Sequence, residues 1–173
     1  MIGIVIRPLT KADAAAFRAL RLEGLREAPE AFSAAYEDEV VRSDEEFAAR
    51  IPDVPPSAIF GAFQDEILVA MTGLLIHAGR KERHKGMVWG VYVSTACRGQ
   101  GLAKRLIQAV IEHARTVDGL EILQLGVGVY NEPARALYGA MSFEVYGVER
   151  HALRLGPEEY IDEELRELDL TMD

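Results

Sequence analysis

Cysteine is almost missing. Cys97 is the only one, so neither an internal disulfide nor a cysteine metal cluster can form. Long hydrophobic runs are missing too. No apolar stretch approaches the roughly 20 residues that span a bilayer, and the apolar start at Ile2-Gly3-Ile4-Val5-Ile6 is too short for a secretion signal. No membrane partner is therefore expected, and the cytoplasm is the default compartment. Basic residues are the minority charge, 19 Lys and Arg against 28 Asp and Glu, for a formal net charge of −9. A chain this acidic repels a phosphate backbone at long range, so no nucleic-acid partner is expected. The histidines, His77, His84, His113 and His151, lack metal-ligand spacing, and no metal site is expected. Internal repeats and low-complexity segments are absent as well.

What is present suits a soluble globular protein. The 173 residues amount to a single domain, 1–173, long enough to bury a core. Residues 2–6 read as a strand stopped by Pro8. Thr10 can cap a helix beginning at Lys11, where Ala14, Phe17, Leu20, Leu22 and Leu25 fit helical spacing and Pro29 ends the run. Ser43-Asp44-Glu45-Glu46 is a capping box and opens a second helix to about Ile51. Three strand-like runs follow at 58–64, 67–77 and 87–93, joined by the Asp65-Glu66 turn and a basic loop. Short connections make them an antiparallel meander. Leu102, Leu106, Ile107, Val110, Ile111 and Ala114 then mark one face of a helix closed by Gly119. A strand at 120–129, a helix opening at Asn131, and closing strands at 143–148 and 165–170 complete the chain. A strand, crossover helix and strand thus sit inside an otherwise antiparallel sheet. The fold class is α+β, a mixed, mostly antiparallel sheet with a central parallel pair, flanked by helices.

The chemistry-bearing stretch is Val91-Tyr92-Val93-Ser94-Thr95-Ala96-Cys97-Arg98-Gly99-Gln100-Gly101-Leu102-Ala103. A strand delivers the chain to two glycines, and a helix starts at once. The first turn of a helix carries unpaired N–H groups, and its dipole adds partial positive charge there. Glycines remove the side chains that would hold a phosphate off. The combination is a backbone anion site suited to a pyrophosphate. Arg98, Lys104 and Arg105 add formal charge, and the last two fit a solvated helix surface equally well. A Walker loop is excluded because Gly-Lys-Ser/Thr is absent. A dinucleotide fingerprint fails because Lys104 stands where a small residue is needed. A tight structural turn is the remaining alternative.

Arg98-Gly99-Gln100-Gly101-Leu102-Ala103 resembles the Gln/Arg-x-x-Gly-x-Gly/Ala signature of the GNAT acetyltransferase superfamily, and the order of elements matches that family from about Ile4 to Leu170. The resemblance implies that the amides from Arg98 through Gly99, Gln100, Gly101, Leu102 and Ala103 to Lys104 hold the pyrophosphate of coenzyme A. It also implies that the backbone of Val91, Tyr92 and Val93 binds the pantetheine arm. Asn131-Glu132-Pro133-Ala134-Arg135-Ala136-Leu137-Tyr138 by itself reads as a helix start, with Asn131 as N-cap and Tyr138 as core. It also looks like the second GNAT motif, Asn-x-x-Ala-x-x-x-Tyr, which implies that Asn131 positions the pantetheine arm or substrate and that Tyr138 sits by the sulfur. Ser142-Phe143 stands where the family usually has Gly-Phe, a departure that touches the turn after the helix.

These likenesses imply an N-acetyltransferase that moves an acetyl group from acetyl-CoA to a small-molecule or peptide amine by direct transfer in a ternary complex. A non-catalytic acyl-CoA sensor on the same fold is the alternative, and a homodimer is compatible with family habit. The reaction needs an oxyanion donor, expected from a backbone N–H of strand 87–93 once the parallel strands splay, and an acid toward the sulfur, expected from Tyr138. The base is open. Met87 occupies the position where some members carry a glutamate, leaving His84, Glu82, His77, water or an already neutral amine. Glu37, Asp38 and Glu39 read as a solvated turn or as a face for a cationic acceptor. Trp89 fits either the cleft or the core, and Cys97 is read as incidental.

Overall fold

The computed structural model describes residues 3–172, so the expected strand start at Ile2 lies outside the described residues. Strand β1 (Ile4–Pro8) leads through a 3-10 turn at Lys11–Asp13 into α1 (Ala14–Glu27). The helix was expected to begin at Lys11. Asp13 instead reaches back, accepting from the Thr10 amide at 2.7 Å and from Arg7 at 2.8 Å through both oxygens. That bracing tightens the first turn, and α geometry begins at Ala14. A 3-10 turn at Pro29–Ala31 then leads to α2 (Tyr36–Glu39) and α3 (Asp44–Arg50). The Ser43 capping box closes α3 as expected, with Ser43 Oγ accepting from the Glu46 amide at 3.2 Å.

Strands β2 (Ala58–Gln64), β3 (Ile67–Ile76) and β4 (Lys85–Val93) form the antiparallel meander. Asp65 and Glu66 both take positive φ, as the tight hairpin turn matched to strand twist requires. Helix α4 (Leu102–Arg115) crosses to β5 (Ile122–Gly128), and α5 (Glu132–Ala140) leads into β6 (Glu144–Gly156) and β7 (Glu159–Asp169). The sheet has 7 strands in the order β1-β2-β3-β4-β5-β7-β6. Every neighbouring pair is antiparallel except β4 with β5.

The last hairpin is longer than the pattern suggested, for the expected strands covered only its ends. Residues 149–164 are dense in charge, which reads as loop. Yet β6 is the sheet edge, where charged side chains are tolerated on both faces and discourage pairing with another chain.

Helices cover both faces of the sheet, which explains the near-continuous apolar runs of β2 and β3. On one face Leu106, Ile107 and Val110 of α4 pack with Phe60, Leu74, Leu123, Leu125 and Val127. On the other, Phe17, Leu20 and Leu25 of α1 pack with Phe47 of α3 and with Ile59, Met71 and Tyr92. Phe17 and Phe47 meet edge-on, with ring centroids 5.4 Å apart. Each such buried ring contributes about 2–3 kcal/mol.

Glu37 and Asp38 are exposed, as a solvated segment requires, but Glu39 corrects the reading of residues 37–39 as a solvated turn or acceptor face. Its carboxylate is buried and bidentate to Arg21, at 2.7 and 2.9 Å, with Arg50 at 3.2 Å. This pair ties α2 to α1 and α3. Burial opposes ionisation of Glu39, but the hydrogen bonds and charges of Arg21 and Arg50 outweigh it, and its pKa lies below the ordinary value. The contribution is therefore fully present above the ordinary carboxylate pKa and fades as pH falls through the lowered one. Glu39→Gln is expected to cost about 3 kcal/mol of stability at neutral pH by urea denaturation, and the gap between variant and wild type should shrink in acid.

Candidate functional site

The site begins with backbone. Strand β4 pairs with β5 at only three positions, Lys85 with Ile122, Gly86 with Leu123 and Met87 with Gln124. Past Met87 the two strands part, as oxyanion chemistry at this strand would require. Each stays anchored on its outer side, β4 to β3 through Val93 and β5 to β7 through Gly128. A bulge assists the divergence. Met71 faces Tyr92 and Gly73 faces Trp89, so β4 carries one residue more than β3 over this stretch, and Gly90 takes φ +63° within it. The Trp89 indole lies over Gly73, where any side chain would collide with it.

The parting strands open a cleft of about 760 Å³. Val91, Tyr92, Val93, Arg98, Gly99, Gly101, Leu102, Ala103, Lys104, Asn131 and Tyr138 all line it, so both sequence motifs converge on one cavity. Gln100 is exposed and does not line it. Leu102 contributes main chain, since its side chain is buried in the core. The Tyr92 ring turns toward α1, where its hydroxyl donates to Glu23 at 3.0 Å. Gly99 and Gly101 have φ of +76° and +72°, and the space where a side chain would stand is open in both. The glycines thus leave the N-terminus of α4 bare on the cleft side. Arg98 donates to the Val93 carbonyl at 3.2 Å, and Lys104 stands exposed at the same rim. Arg105 instead donates to the Ile4 carbonyl at 3.3 Å and turns away toward β1.

At the second motif, Asn131 caps α5 by accepting from the Ala134 amide at 3.2 Å. Tyr138 is only 6% exposed, and burial pushes its phenol up to about 12. Burial is the only cause of that shift, and the hydroxyl has no hydrogen-bond partner among the described residues. The phenol therefore stays protonated and can donate to a group placed in the cleft. Ser142 adopts φ +67°, the conformation a glycine would take, so the substitution noted in the sequence leaves the turn intact. The Phe143 amide then donates to the Tyr138 carbonyl at 3.0 Å, and the two rings pack edge-on.

His84 does not join the site. It precedes β4, and its carbonyl accepts from the Glu121 and Ile122 amides at 2.8 and 3.0 Å. The whole of β4 separates it from Val93, roughly 25–30 Å at about 3.3 Å per residue. His77 and Glu82 lie at the same far end, where the His77 amide donates to the Lys85 carbonyl and the Glu82 amide to Gly79. The histidine reading rested on nearness in sequence, and an extended strand carries such neighbours away from each other.

The opposite end of the cleft is acidic and was not found from the sequence. Glu27, Glu30, Tyr130 and Glu163 line it with Trp89. The available signal was the pair Gly126 and Gly128 in β5, since glycine inside a strand marks close approach by another group. A side chain at Gly126 would stand 2.8 Å from a Glu163 carboxylate oxygen, and one at Gly128 would collide with the Tyr130 ring. Cys97 also lines the cleft, its thiol 3.5 Å from the Gln64 side-chain oxygen.

Residues 20–143, more than half of the chain, match the model of the acetyltransferase (GNAT) family. The chain belongs to that family. It is an acyltransferase, and its sheet has the GNAT arrangement. A GNAT-family acetyltransferase from Streptococcus pneumoniae superposes with a TM-score of 0.84 at 22% identity, over 96% of this chain and 99% of that one. The yncA protein of Salmonella typhimurium, whose structure contains acetyl-CoA as cofactor, gives 0.81 at 21% identity, over 96% and 94%. The ribosomal-protein-S18-alanine N-acetyltransferase of Escherichia coli gives 0.74 at 18% identity, over 99% and 96%. Among the described residues of this acetyltransferase no group of side chains has the makings of a metal site, and no helix is long and apolar enough to cross a membrane.

A left-handed residue other than glycine is strained by about 1–2 kcal/mol. Ser142→Gly in this acetyltransferase should therefore raise the unfolding free energy, by about 1 kcal/mol after the entropy lost to glycine is counted. Chemical denaturation measures it.

Proposed function

We propose that the protein transfers an acetyl group from acetyl-CoA directly to an amine while both substrates occupy the cleft. One observation carries the reading: β4 and β5 separate after Met87 and leave their facing backbone edges unpaired above the bare N-terminus of α4. Backbone polar groups require partners, and an extended arm with amide groups would supply them. The site fits coenzyme A on this chain's own features. The open space at Gly99 and Gly101 admits phosphate oxygens to the first-turn amides of α4, with Lys104 and Arg98 adding charge. The wedge beside Val91, Tyr92 and Val93 is the length of main chain left for the pantetheine arm.

The thioester supplies an activated acyl group, and the residues supply position and protons. A freed N–H of β4 near the Gly90 bulge would donate to the oxygen on which charge develops. Tyr138, held neutral by burial, would give a proton to the departing sulfur. Asn131 is fixed by its cap contact, with its side chain at the cleft wall. The ribosomal-protein-S18-alanine N-acetyltransferase among the structural neighbours acts, by its name, on an alanine of a protein, and a peptide or a small amine are both within the reach of this reading.

Coenzyme A at a hundredfold excess over its Kd is expected to raise Tm by roughly 5–10 °C, whereas NAD and ATP should leave it unchanged. Gly101→Ala should cost about 1 kcal/mol in the free protein and abolish the shift with coenzyme A, because a methyl group would occupy the anion position. Equal shifts with all three ligands would overturn the coenzyme assignment. Tyr138→Phe should lower kcat by about a hundredfold with little change in acetyl-CoA affinity, read by free-thiol release and by calorimetry.

A further inference from the structure

The wedge between β4 and β5 is shut at one end. The strands last share hydrogen bonds at Met87 and Gln124, where paired strands stand about 4.8 Å apart and leave no room for a chain between them. Val88 and Leu125 are the next residues on each strand. Each is 4% exposed, both line the cleft, and both belong to the core on the α4 face. Val88 is held from the outer side by pairing with Leu74, and Leu125 by pairing with Arg166. The closed end of the slot is therefore floored, on the face that carries Tyr138, by two branched apolar side chains backed by close-packed core.

The other face is closed by different means. Trp89 points toward the α1 core and lines the cleft there. Gly126, the neighbour of Leu125, has no side chain and by itself would leave a gap. The Glu163 carboxylate fills it, since a side chain at Gly126 would stand 2.8 Å from one of its oxygens. An apolar chain pushed that way would strip water from a carboxylate and offer it no hydrogen bond in return, which is costly. Tyr138 marks the opposite limit. It lines the cleft, and its hydroxyl is without a partner among the described residues. On the acetyl-transfer reading this hydroxyl meets the thioester sulfur. The acyl group then has the depth between the phenol and the Val88–Leu125 floor.

We propose that Val88 and Leu125 set the length of the acyl group, so that the cleft takes acetyl and propionyl thioesters of coenzyme A and turns away butanoyl and longer chains. This deepens the acetyl-transfer reading and rests on it. A leucine that served the core alone would lower stability on truncation and leave acyl preference untouched. Leu125 does both, because truncation of a buried leucine leaves a dry apolar cavity that accepts an apolar guest. Grip on the coenzyme itself is separate. Val93, where the glycine loop departs, lies at the other end of β4, roughly 16 Å from Val88.

Titration calorimetry tests this without an acceptor. Free coenzyme A and its acetyl, propionyl, butanoyl and hexanoyl thioesters are titrated into the full chain. The acetyl and propionyl thioesters should bind alike, and the butanoyl and hexanoyl thioesters about tenfold or more weakly. Leu125→Ala should tighten hexanoyl-CoA by about tenfold and leave free coenzyme A where it was. Val88→Ala, a smaller excision for the case where the first variant does not fold, should do the same for butanoyl-CoA. Leu106→Ala removes a leucine of the same core that does not line the cleft, and should lower Tm without altering the acyl order. If hexanoyl-CoA matched acetyl-CoA on the wild-type protein, or if the folded Leu125 or Val88 variant kept the wild-type order, the inference would fall while coenzyme binding stood. If free coenzyme A failed to bind the wild-type protein, the acetyl-transfer reading would fall with it.

Discussion

Parallel neighbours in a sheet normally share hydrogen bonds along their whole length. In this chain β4 and β5 share them only as far as Met87 and Gln124. Their outer edges stay paired to β3 and β7, so the strands are held firmly while their inner edges separate. The cost is a row of backbone groups without sheet partners, and the gain is a slot through an otherwise closed sheet. The bulge at Gly90 accommodates the change of direction on one side. On the other, Gly126 and Gly128 keep the β5 wall low enough for Glu163 and Tyr130 to fold over it. The remaining features of the site are consequences of that slot.

Helices complete it from both faces. The N-terminus of α4 meets the slot because the loop after β4 is short and ends in two left-handed glycines. Helix α5 brings Tyr138 in from the same face, and the Ser142 turn locks its C-terminal end against Phe143. On the opposite face α1 is pinned by the buried contact of Arg21 with Glu39, which also fixes where the chain emerges at Glu27 and Glu30. A structural ion pair and a wall of the cleft are therefore successive parts of one segment. Removal of the first should loosen the second.

Much of the cleft lining was legible beforehand. The spacing of Arg98, Gly99, Gly101 and Ala103, placed between a strand and an amphipathic helix, named the loop. Asn131 and Tyr138 then fell on one cavity. The acidic end of the cleft was not legible, because Glu30 and Glu163 stand more than a hundred residues apart in sequence and meet only across the sheet. His84 failed for the converse reason, since it is close to the loop in sequence and a strand's length away in space. Glu39 looked solvated because a burial partner eighteen residues earlier leaves no local trace.

Local chemistry set what the sequence alone could determine: the Ser43 and Asn131 caps, the Asp65-Glu66 turn, the apolar face of α4 and the glycine loop. Each is a contest decided within a few residues, by φ preference, by capping or by periodicity. Tertiary structure decided where β4 and β5 part, how far the charged β6–β7 hairpin extends, which glutamates are buried as ion pairs and which line the cleft. Those outcomes depend on packing and on charges brought together from distant segments, and neither leaves a periodic signal along the chain.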